Sequence, residues 1–230
     1  MIMNATSSPS LSIAPGTRFG YHAGPFWRRQ ARTLVEASEP VNIGAGLHLF
    51  VAPNGVGKTT LLRSLAGLSP TLGGSLKVDG RVLYLADELK MDEELKPLAL
   101  FRSLFKGRAL HEAERLAEIL KLNLSCPIGK LSRGNRQKVL LIIAETRLHQ
   151  TGHSVLLMDE PLSGLDAETR EVVTALWAEA STDALRLVIL HELESVRRAD
   201  SLFTIRSGRL HHTGSRKGDS WLETYRTLHQ

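Results

Sequence analysis

The chain has 230 residues, of which 42% are hydrophobic and 23% are charged, and its formal net charge is +5. This composition is that of a globular protein with a sizeable core, which excludes a disordered chain. No apolar run approaches the roughly 18 residues of a membrane span, and a single cysteine, Cys126, excludes an internal disulfide. The basic residues are spread along the sequence, so we expect no nucleic-acid partner.

The first residues, 1–16, are rich in Ser and Pro and contain neither a basic segment nor a continuous apolar stretch. This pattern predicts a flexible leader rather than a signal peptide, so we expect a cytoplasmic protein. The rest, 17–230, is expected to form a single domain. From about residue 11 to residue 46, short β-branched or aromatic pieces alternate with Gly and Pro, which predicts an antiparallel β subdomain.

An apolar run, Leu47–Val51, leads into the sequence Ala-Pro-Asn-Gly-Val-Gly-Lys-Thr-Thr at 52–60 and then into a helical pattern. Strand, glycine-rich turn and helix form the context of a phosphate-binding loop. The glycines let several N–H groups converge on a phosphate, and the helix start adds a partial positive charge. The residues predicted to bind the nucleotide here are Asn54, Gly55, Val56, Gly57, Lys58, Thr59 and Thr60.

Within this loop, Lys58 is expected to reach the terminal phosphates, and the Thr59 hydroxyl to ligate Mg²⁺. One residue departs from the usual pattern, because Ala52 stands where the first glycine is expected. Its Cβ would cost about 1 kcal/mol if that position required a positive φ.

Beyond the loop, Asp79-Gly80 lies between two apolar runs and predicts a β-hairpin turn. Strands then alternate with helices, which predicts an α/β fold with a mainly parallel central sheet. The predicted elements are a helical subdomain at about 88–150 that includes a helix at 135–148, a strand at 154–159, a helix at 167–180 and a strand at 186–190. The nucleotide-binding core would then comprise about 17–85 and 154–210.

Two carboxylates, Asp159 and Glu160, end the apolar run that begins at Val155. A parallel sheet would place them beside the phosphate loop, where Asp159 would hold Mg²⁺ and Glu160 would act as general base toward water. Acidic pairs at strand ends are also common turn formers, and the upstream loop favours the catalytic interpretation.

Further segments, in order and spacing over about residues 47–210, resemble the nucleotide-binding domain of the ATP-binding cassette family. The sequence Leu-Ser-Arg-Gly-Asn-Arg-Gln-Lys at 131–138 is similar to the family's signature, commonly Leu-Ser-Gly-Gly-Gln. The resemblance implies that Ser132, Arg133, Gly134 and Asn135 contact the γ-phosphate of ATP held by another protomer. Arg133 and Asn135 depart from the common form.

Three more positions take their roles from this resemblance. Ser163-Gly-Leu-Asp166 is similar to the D-loop, which places Asp166 at the dimer interface, although Asp166 can also cap the next helix. His191 follows a strand and resembles the switch histidine, a catalytic contact to the γ-phosphate. The family's Q-loop glutamine is absent; Asp87, with Glu88 as second choice, is the candidate Mg²⁺ ligand in its place.

An aromatic upstream of the phosphate loop is expected to stack on adenine, a contact worth about 1–3 kcal/mol. Family spacing favours Phe26 or Trp27, and Tyr21 competes for the same role. As an alternative, any of the three could belong to the core of the β subdomain.

The resemblance as a whole implies a P-loop ATPase subunit that uses ATP and Mg²⁺ to power a membrane transporter. Its partners would be a transmembrane permease subunit and a second copy of itself or a homologous ATPase subunit, at the inner face of the cell membrane. The acidic segment at Asp87 favours an exporter-like subgroup. Two alternatives are a soluble ATPase acting on nucleic acid or ribosomes, and a module that senses ATP without hydrolysing it.

Overall fold

The computed structural model describes residues 8–86, 89–179, 183–191, 193, 196, 198–214, 216 and 220–229. The strands are β1 (Ser10–Ile13), β2 (Thr17–Ala23), β3 (Gln30–Ala37), β4 (Val41–Ile43), β5 (Gly46–Phe50), β6 (Leu76–Asp79), β7 (Arg81–Leu85), β8 (Ser154–Asp159), β9 (Ala184–Ile189), β10 (Ser201–Arg206) and β11 (Arg209–Thr213). The α-helices are α1 (Lys58–Leu65), α2 (Pro97–Leu104), α3 (Arg108–Ile119), α4 (Arg133–Thr151), α5 (Ala167–Glu179) and α6 (Trp221–His229).

An eight-stranded sheet runs through the protein in the order β2-β3-β11-β10-β5-β9-β8-β7. The five strands from β10 to β7 are mutually parallel, whereas β2 and β3, and β10 and β11, pair antiparallel. The strands alternate with helices along the chain, and such a pattern produces a parallel sheet covered on both faces. The predicted α/β fold with a mainly parallel sheet is confirmed.

Every residue of β8 and of β9 is buried, because helices or strands cover both faces of the sheet. Successive side chains point to opposite faces. Leu156 and Met158 therefore join the core beneath α3, α4 and α5, whereas Val155 and Leu157 join the core shared with α1 and the antiparallel strands. These two cores hold the central strands rigidly, and the site lies at the strands' carboxyl ends.

A second, antiparallel sheet has the order β4-β1-β6. Strand β1 contributes Leu11 and Ile13, each only 1% exposed, to the core. The predicted antiparallel β subdomain is present, but the expected leader at 1–16 is wrong for Ser10–Ile13, because burial of those two side chains fixes the segment as a strand. Residues 1–7 lie outside the described part of the chain.

The hairpin predicted at Asp79-Gly80 is also wrong. Strand β6 pairs with β1 in the small sheet, whereas β7 pairs with β8 in the large one. Gly80 has φ of +130°, and a Cβ there would lie 3.0 Å from the carbonyl oxygen of His153. The glycine therefore passes the chain from one sheet to the other at a close backbone approach instead of folding it back.

Helices α2, α3 and α4 fill the segment between β7 and β8, as predicted for the helical subdomain. A buried polar network ties α4 to the sheet and to α5. Glu145 on α4 accepts hydrogen bonds from Arg186 of β9, at 2.8 Å from Nη2, and from Nε1 of Trp177, at 2.9 Å. None of the helices in the described ranges combines the length and the apolar composition needed to span a bilayer.

Candidate functional site

The phosphate loop connects the carboxyl end of β5 to the first residue of α1. Gly57 stands at the helix N-cap with φ of +110°, and a Cβ there would lie 2.8 Å from the Val35 side chain. Gly55 has φ of +77°. Only glycine adopts such conformations at little cost, so these two residues produce the tight turn that the sequence predicts.

Lys58 is the first residue of α1 and is only 6% exposed. Its amine donates to the carbonyl oxygens of Ala52 at 2.9 Å and Pro53 at 3.1 Å, and to Oδ1 of Asn54 at 3.2 Å. Burial lowers the pKa of Lys58, and the nearby charges of Glu160 and Asp159 oppose that shift. The lysine and both carboxylates therefore share one electrostatic environment.

Ala52 carries no backbone strain, because it is not among the described residues with positive φ. It is 5% exposed, and its carbonyl oxygen accepts the shortest of the Lys58 hydrogen bonds. The cost anticipated for this departure from the glycine pattern is absent.

The other predicted loop residues differ in how far water reaches them. Asn54 and Thr59 are exposed, and Val56 and Thr60 are half-buried. Thr59 follows Lys58 on the first turn of α1, where backbone N–H groups have no partner within the helix.

The strand register places the predicted catalytic residues at one edge of the sheet. Ile189 of β9 pairs with Phe50 of β5 on one side and with Asp159 of β8 on the other. Since neighbouring strands lie about 4.8 Å apart, the start of the phosphate loop and Asp159 are roughly 10 Å apart along the sheet. Asp159 is 4% exposed.

Glu160 and His191 contact each other directly. His191 Nε2 lies 2.7 Å from Glu160 Oε2. Glu160 has φ of +52°, a conformation that is unusual outside glycine and typical of functional turns. A cavity of about 140 Å³ adjoins the pair and is lined by Ser163, Gly164 and Arg170 as well.

Tyr84 also belongs to this site, and sequence reasoning missed it. Burial raises the pKa of its phenol, and the charge of Asp159, with which it shares a hydrogen bond, adds to the shift. Tyr84 lies on β7, directly beside β8 in the sheet. The sequence signal for Tyr84 is a hydroxyl within the otherwise apolar run Val82–Leu85.

The signature-like segment opens α4. Ser132 is the N-cap, and its Oγ accepts a hydrogen bond from the backbone N–H of Asn135 at 3.2 Å. Arg133 is the first helical residue, and its Nη2 donates to Oγ of Ser163 at 3.1 Å. Gly134 packs against the backbone of Gly164. The structure thus joins the signature-like segment to the D-loop-like segment within one chain.

Asp166 caps α5, because its Oδ1 accepts a hydrogen bond from the N–H of Thr169 at 2.8 Å. That bond is the main reason why the pKa of Asp166 is lowered. The capping role that the sequence allowed is confirmed, and the interface role stays a prediction.

The adenine-stacking candidates lie away from the core. Phe26 and Trp27 form a short 3₁₀ turn between β2 and β3 and are 82% and 84% exposed, and Tyr21 is 44% exposed. Arg29 lies over the Phe26 ring at 5.5 Å. For Phe26 and Trp27, the alternative of a core role is excluded. Asp87 and Glu88 lie outside the described residues.

The donor set is suited to a hard cation. Mg²⁺ prefers oxygen ligands and keeps several positions for water or substrate phosphate. The exposed Thr59 hydroxyl and the Asp159 carboxylate supply such oxygens beside Lys58. These residues fit the ion that the sequence predicts.

A glycine turn between a buried strand and a helix, with carboxylates at the end of a parallel strand two positions away in the same sheet, defines a P-loop nucleotide-binding domain. The profile of the ABC transporter family matches residues 44–163. The chain belongs to this family.

Its relatives include ATP-binding proteins of both importers and exporters. The chain is 32% identical to an uncharacterized ABC transporter ATP-binding protein of Methanocaldococcus jannaschii, over 70% of this chain and 64% of that protein. It is 32% identical to an aliphatic sulfonates import ATP-binding protein of Escherichia coli, over 80% of this chain and 76% of that protein. It is also 32% identical to a cytochrome c biogenesis ATP-binding export protein of Zymomonas mobilis, over 79% of this chain and 82% of that protein. The exporter-like subgroup therefore stays a prediction.

Solved structures share the fold at lower identity. An ATP-binding subunit of an ABC transporter superimposes with a TM-score of 0.74 at 19% identity, over 97% of this chain and 100% of that one. A dimeric ATP-binding cassette in a post-hydrolysis state, bound to ADP and phosphate, gives a TM-score of 0.67 at 15% identity, over 90% of this chain and 100% of that one.

Proposed function

We propose that the chain is the ATP-binding and ATP-hydrolysing subunit of a membrane transporter. The observation that carries this proposal is the convergence of Lys58, Asp159, Glu160 and His191 at one edge of the sheet. A phosphate-binding loop alone would serve many nucleotide enzymes. A carboxylate one residue beyond Asp159, bonded to a histidine from the next strand, adds the groups that hydrolysis requires.

The chemistry assigns a role to each group. Lys58 moves from its loop oxygens to the terminal phosphates, and the backbone N–H groups of the loop hold the phosphate oxygens. Glu160 takes a proton from water as the water oxygen attacks the γ-phosphorus, while the bond from that phosphorus to the β–γ bridging oxygen breaks and ADP leaves. His191 orients the Glu160 carboxylate. Thr59 and Asp159, with Asp87 as a further proposed ligand, would hold Mg²⁺, which would neutralise phosphate charge when bound.

Two ATP sites would lie between two protomers arranged head to tail. The second protomer is another copy or a homologous ATPase subunit, and its α4 start supplies Ser132, Arg133, Gly134 and Asn135 to the γ-phosphate. Arg133 would do so through its backbone N–H, because its guanidinium bonds to Ser163 of its own chain. A hydroxyl, a close backbone approach and a helix N-terminus suit an anion. Asp166 would lie at this interface, and Phe26 or Trp27 would stack on adenine. ATP would close the dimer because each nucleotide contacts both protomers. Hydrolysis would release the dimer because the shared γ-phosphate contacts are lost.

An apolar groove supports a permease partner. It has a volume of about 470 Å³, lies between β7 and helices α2 and α4, and includes the exposed side chains of Leu89 and Leu95. Exposed apolar patches of this kind mark interaction sites. We assign the groove to a transmembrane permease subunit, which would hold the chain at the inner face of the cell membrane.

The catalytic proposal is tested with Glu160→Gln, which keeps the side-chain shape and removes the base. We expect turnover to fall by roughly 10²-fold or more, while ATP stays bound and a dimer accumulates in light scattering. Turnover at the native rate in this variant would show that Glu160 is not the base.

The permease proposal is tested by co-purification from native membranes with Leu95→Asp. A charge in the groove should reduce recovery of a membrane-spanning partner, whereas Leu68→Asp, at a leucine that is 57% exposed elsewhere, should not. Equal recovery with both variants would remove the groove from the interface.

A further inference from the structure

The first turn of α4 packs against the turn that follows Glu160 in the same chain. Arg133 Nη2 donates to Ser163 Oγ at 3.1 Å, and one helical turn further on, Gln137 Nε2 donates to the carbonyl oxygen of Pro161 at 3.1 Å. Gln137 is 6% exposed, so this second bond is buried. Two side chains of one helix face therefore hold two points of the same turn.

Backbone packing between these two bonds is close. A Cβ on Gly134 would lie 2.4 Å from the carbonyl oxygen of Gly164, a distance that no real Cβ tolerates. A Cβ on Gly164 would lie 3.4 Å from both Cγ and Cδ of Arg133. The arginine stem thus lies along the turn, and its guanidinium reaches past Gly164 to Ser163.

The turn held in this way carries Glu160, the proposed catalytic base. The N–H of Ser163 donates to the carbonyl oxygen of Glu160 at 3.0 Å, and the N–H of Leu165 donates to Leu162 at 3.3 Å. Glu160 keeps a φ of +52° at the start of the turn. A strained residue persists only where its surroundings fix it, and α4 is one of those surroundings.

We propose that Arg133 is a positioning residue that latches the 160–164 turn to the start of α4 and thereby fixes the orientation of Glu160. This inference rests on the proposed function for its catalytic consequence. In the head-to-tail dimer, the start of α4 contacts ATP at one site and, through Arg133, holds the Glu160 of the other site. The latch therefore couples the two sites through a single helix end.

The latch itself is tested without ATP, by hydrogen exchange of the full-length chain. Arg133→Ala should raise amide exchange across 162–165 roughly threefold, the effect of losing about one modest hydrogen bond. Arg136→Ala removes the same charge from the same helix turn and should leave this exchange unchanged. Unchanged exchange in Arg133→Ala would overturn the proposal.

A double-mutant cycle separates the latch from a direct contact between Arg133 and phosphate. Arg133→Ala and Ser163→Ala should each lower kcat roughly threefold, leave the half-saturating ATP concentration within about twofold, and produce no further loss when combined. Arg133→Lys, which keeps a donor, should recover part of kcat. Additive losses, or a large rise in half-saturating ATP for Arg133→Ala alone, would contradict the latch.

The two levels of the proposal fail in different ways. If the wild-type chain hydrolyses no ATP while Arg133→Ala still raises exchange across 162–165, the latch stands and the proposed function fails. If wild-type turnover is normal and the cycle is additive, the function stands and the latch fails.

Discussion

The phosphate loop and the start of α4 are both glycine-containing segments that open a helix, yet they are held in different ways. Lys58 bonds to residues 52–54, no more than six positions away along the chain. Arg133 and Gln137 bond to residues 30 and 24 positions away. The first segment is shaped by local chemistry, and the second by contacts that exist only once the chain has folded.

This difference has a consequence for function. A loop held by its own backbone can bind phosphate in each protomer independently. A helix end held by distant segments moves with them, so it can transmit a change from one site to another. Variants in each segment and in its supporting contacts separate the two kinds of support.

Breaking the buried network of Glu145, Arg186 and Trp177 behind α4 should cause the largest loss of folding stability. Glu145→Ala leaves Arg186, only 3% exposed, without its carboxylate and removes the acceptor of the Trp177 N–H. Breaking a buried pair in this way costs about 3–5 kcal/mol. Urea denaturation of the variant measures the loss.

A matched control replaces a surface pair. Glu112→Ala removes the partner of Arg115, which is half exposed, and should cost less than about 1 kcal/mol. Replacing Glu145 and Arg186 together by leucine should recover most of the stability. If Glu145→Ala costs no more than Glu112→Ala, the network does not hold α4.

Adding a side-chain carbon at the start of α4 should cause the next largest loss of folding stability. Gly134→Ala forces its Cβ against the Gly164 carbonyl and should cost about 1–3 kcal/mol. Gly44→Ala is the control, because a Cβ there meets no atom within 4 Å and its φ is not positive; it should stay within about 0.5 kcal/mol. Equal unfolding midpoints would show that the two backbones do not meet.

A smaller loss of folding stability should appear when the pH is lowered, because His212 is partly buried in the core. Burial, helped by the charge of His48, lowers the pKa of His212 to about 4 from 6.5. The unfolded chain then binds more protons between these values, so this contribution is full above pH 6.5 and is lost as pH falls toward 4.

After allowance for the part of the ring that water reaches, we expect a loss of about 1–2 kcal/mol. The His212 ring packs at a tilt against Phe203, with ring centroids 4.6 Å apart. Phe203 in turn packs against Phe50 at the end of β5, so the loss acts on the loop's side of the sheet. Denaturation of wild type and His212→Gln at pH 7 and pH 5 measures it. A variant with the same pH dependence as wild type would assign the loss to other groups.

The sequence predicted the features that local patterns encode. Gly55, Gly57 and Lys58 lie in a turn between strand and helix, and the apolar run before Asp159 is a fully buried strand. The carboxylate edge followed from the parallel arrangement. These predictions succeeded because backbone conformation and strand burial depend on residue type and near neighbours.

The predictions that were wrong, and the contacts that were not predicted, concern residues whose partners lie far along the chain. Whether Leu76–Asp79 pairs with β7 or with β1 is decided by the burial of Leu11 and Ile13, which lie more than sixty residues earlier. The Tyr84 contact to Asp159 and the pairing of Glu145 with Arg186 likewise require the fold. The polar residues within apolar runs at 145 and 186 were the only sequence signal of that network.

ATP binding and turnover by wild type and Lys58→Ala test the central claim most directly. The account predicts that wild type binds and hydrolyses ATP, whereas Lys58→Ala loses tight binding because the terminal phosphates lose their buried cation. Isothermal titration with ATP and Mg²⁺, together with phosphate release, measures both. Undiminished affinity in Lys58→Ala, or a wild-type chain that never binds ATP, would contradict the account.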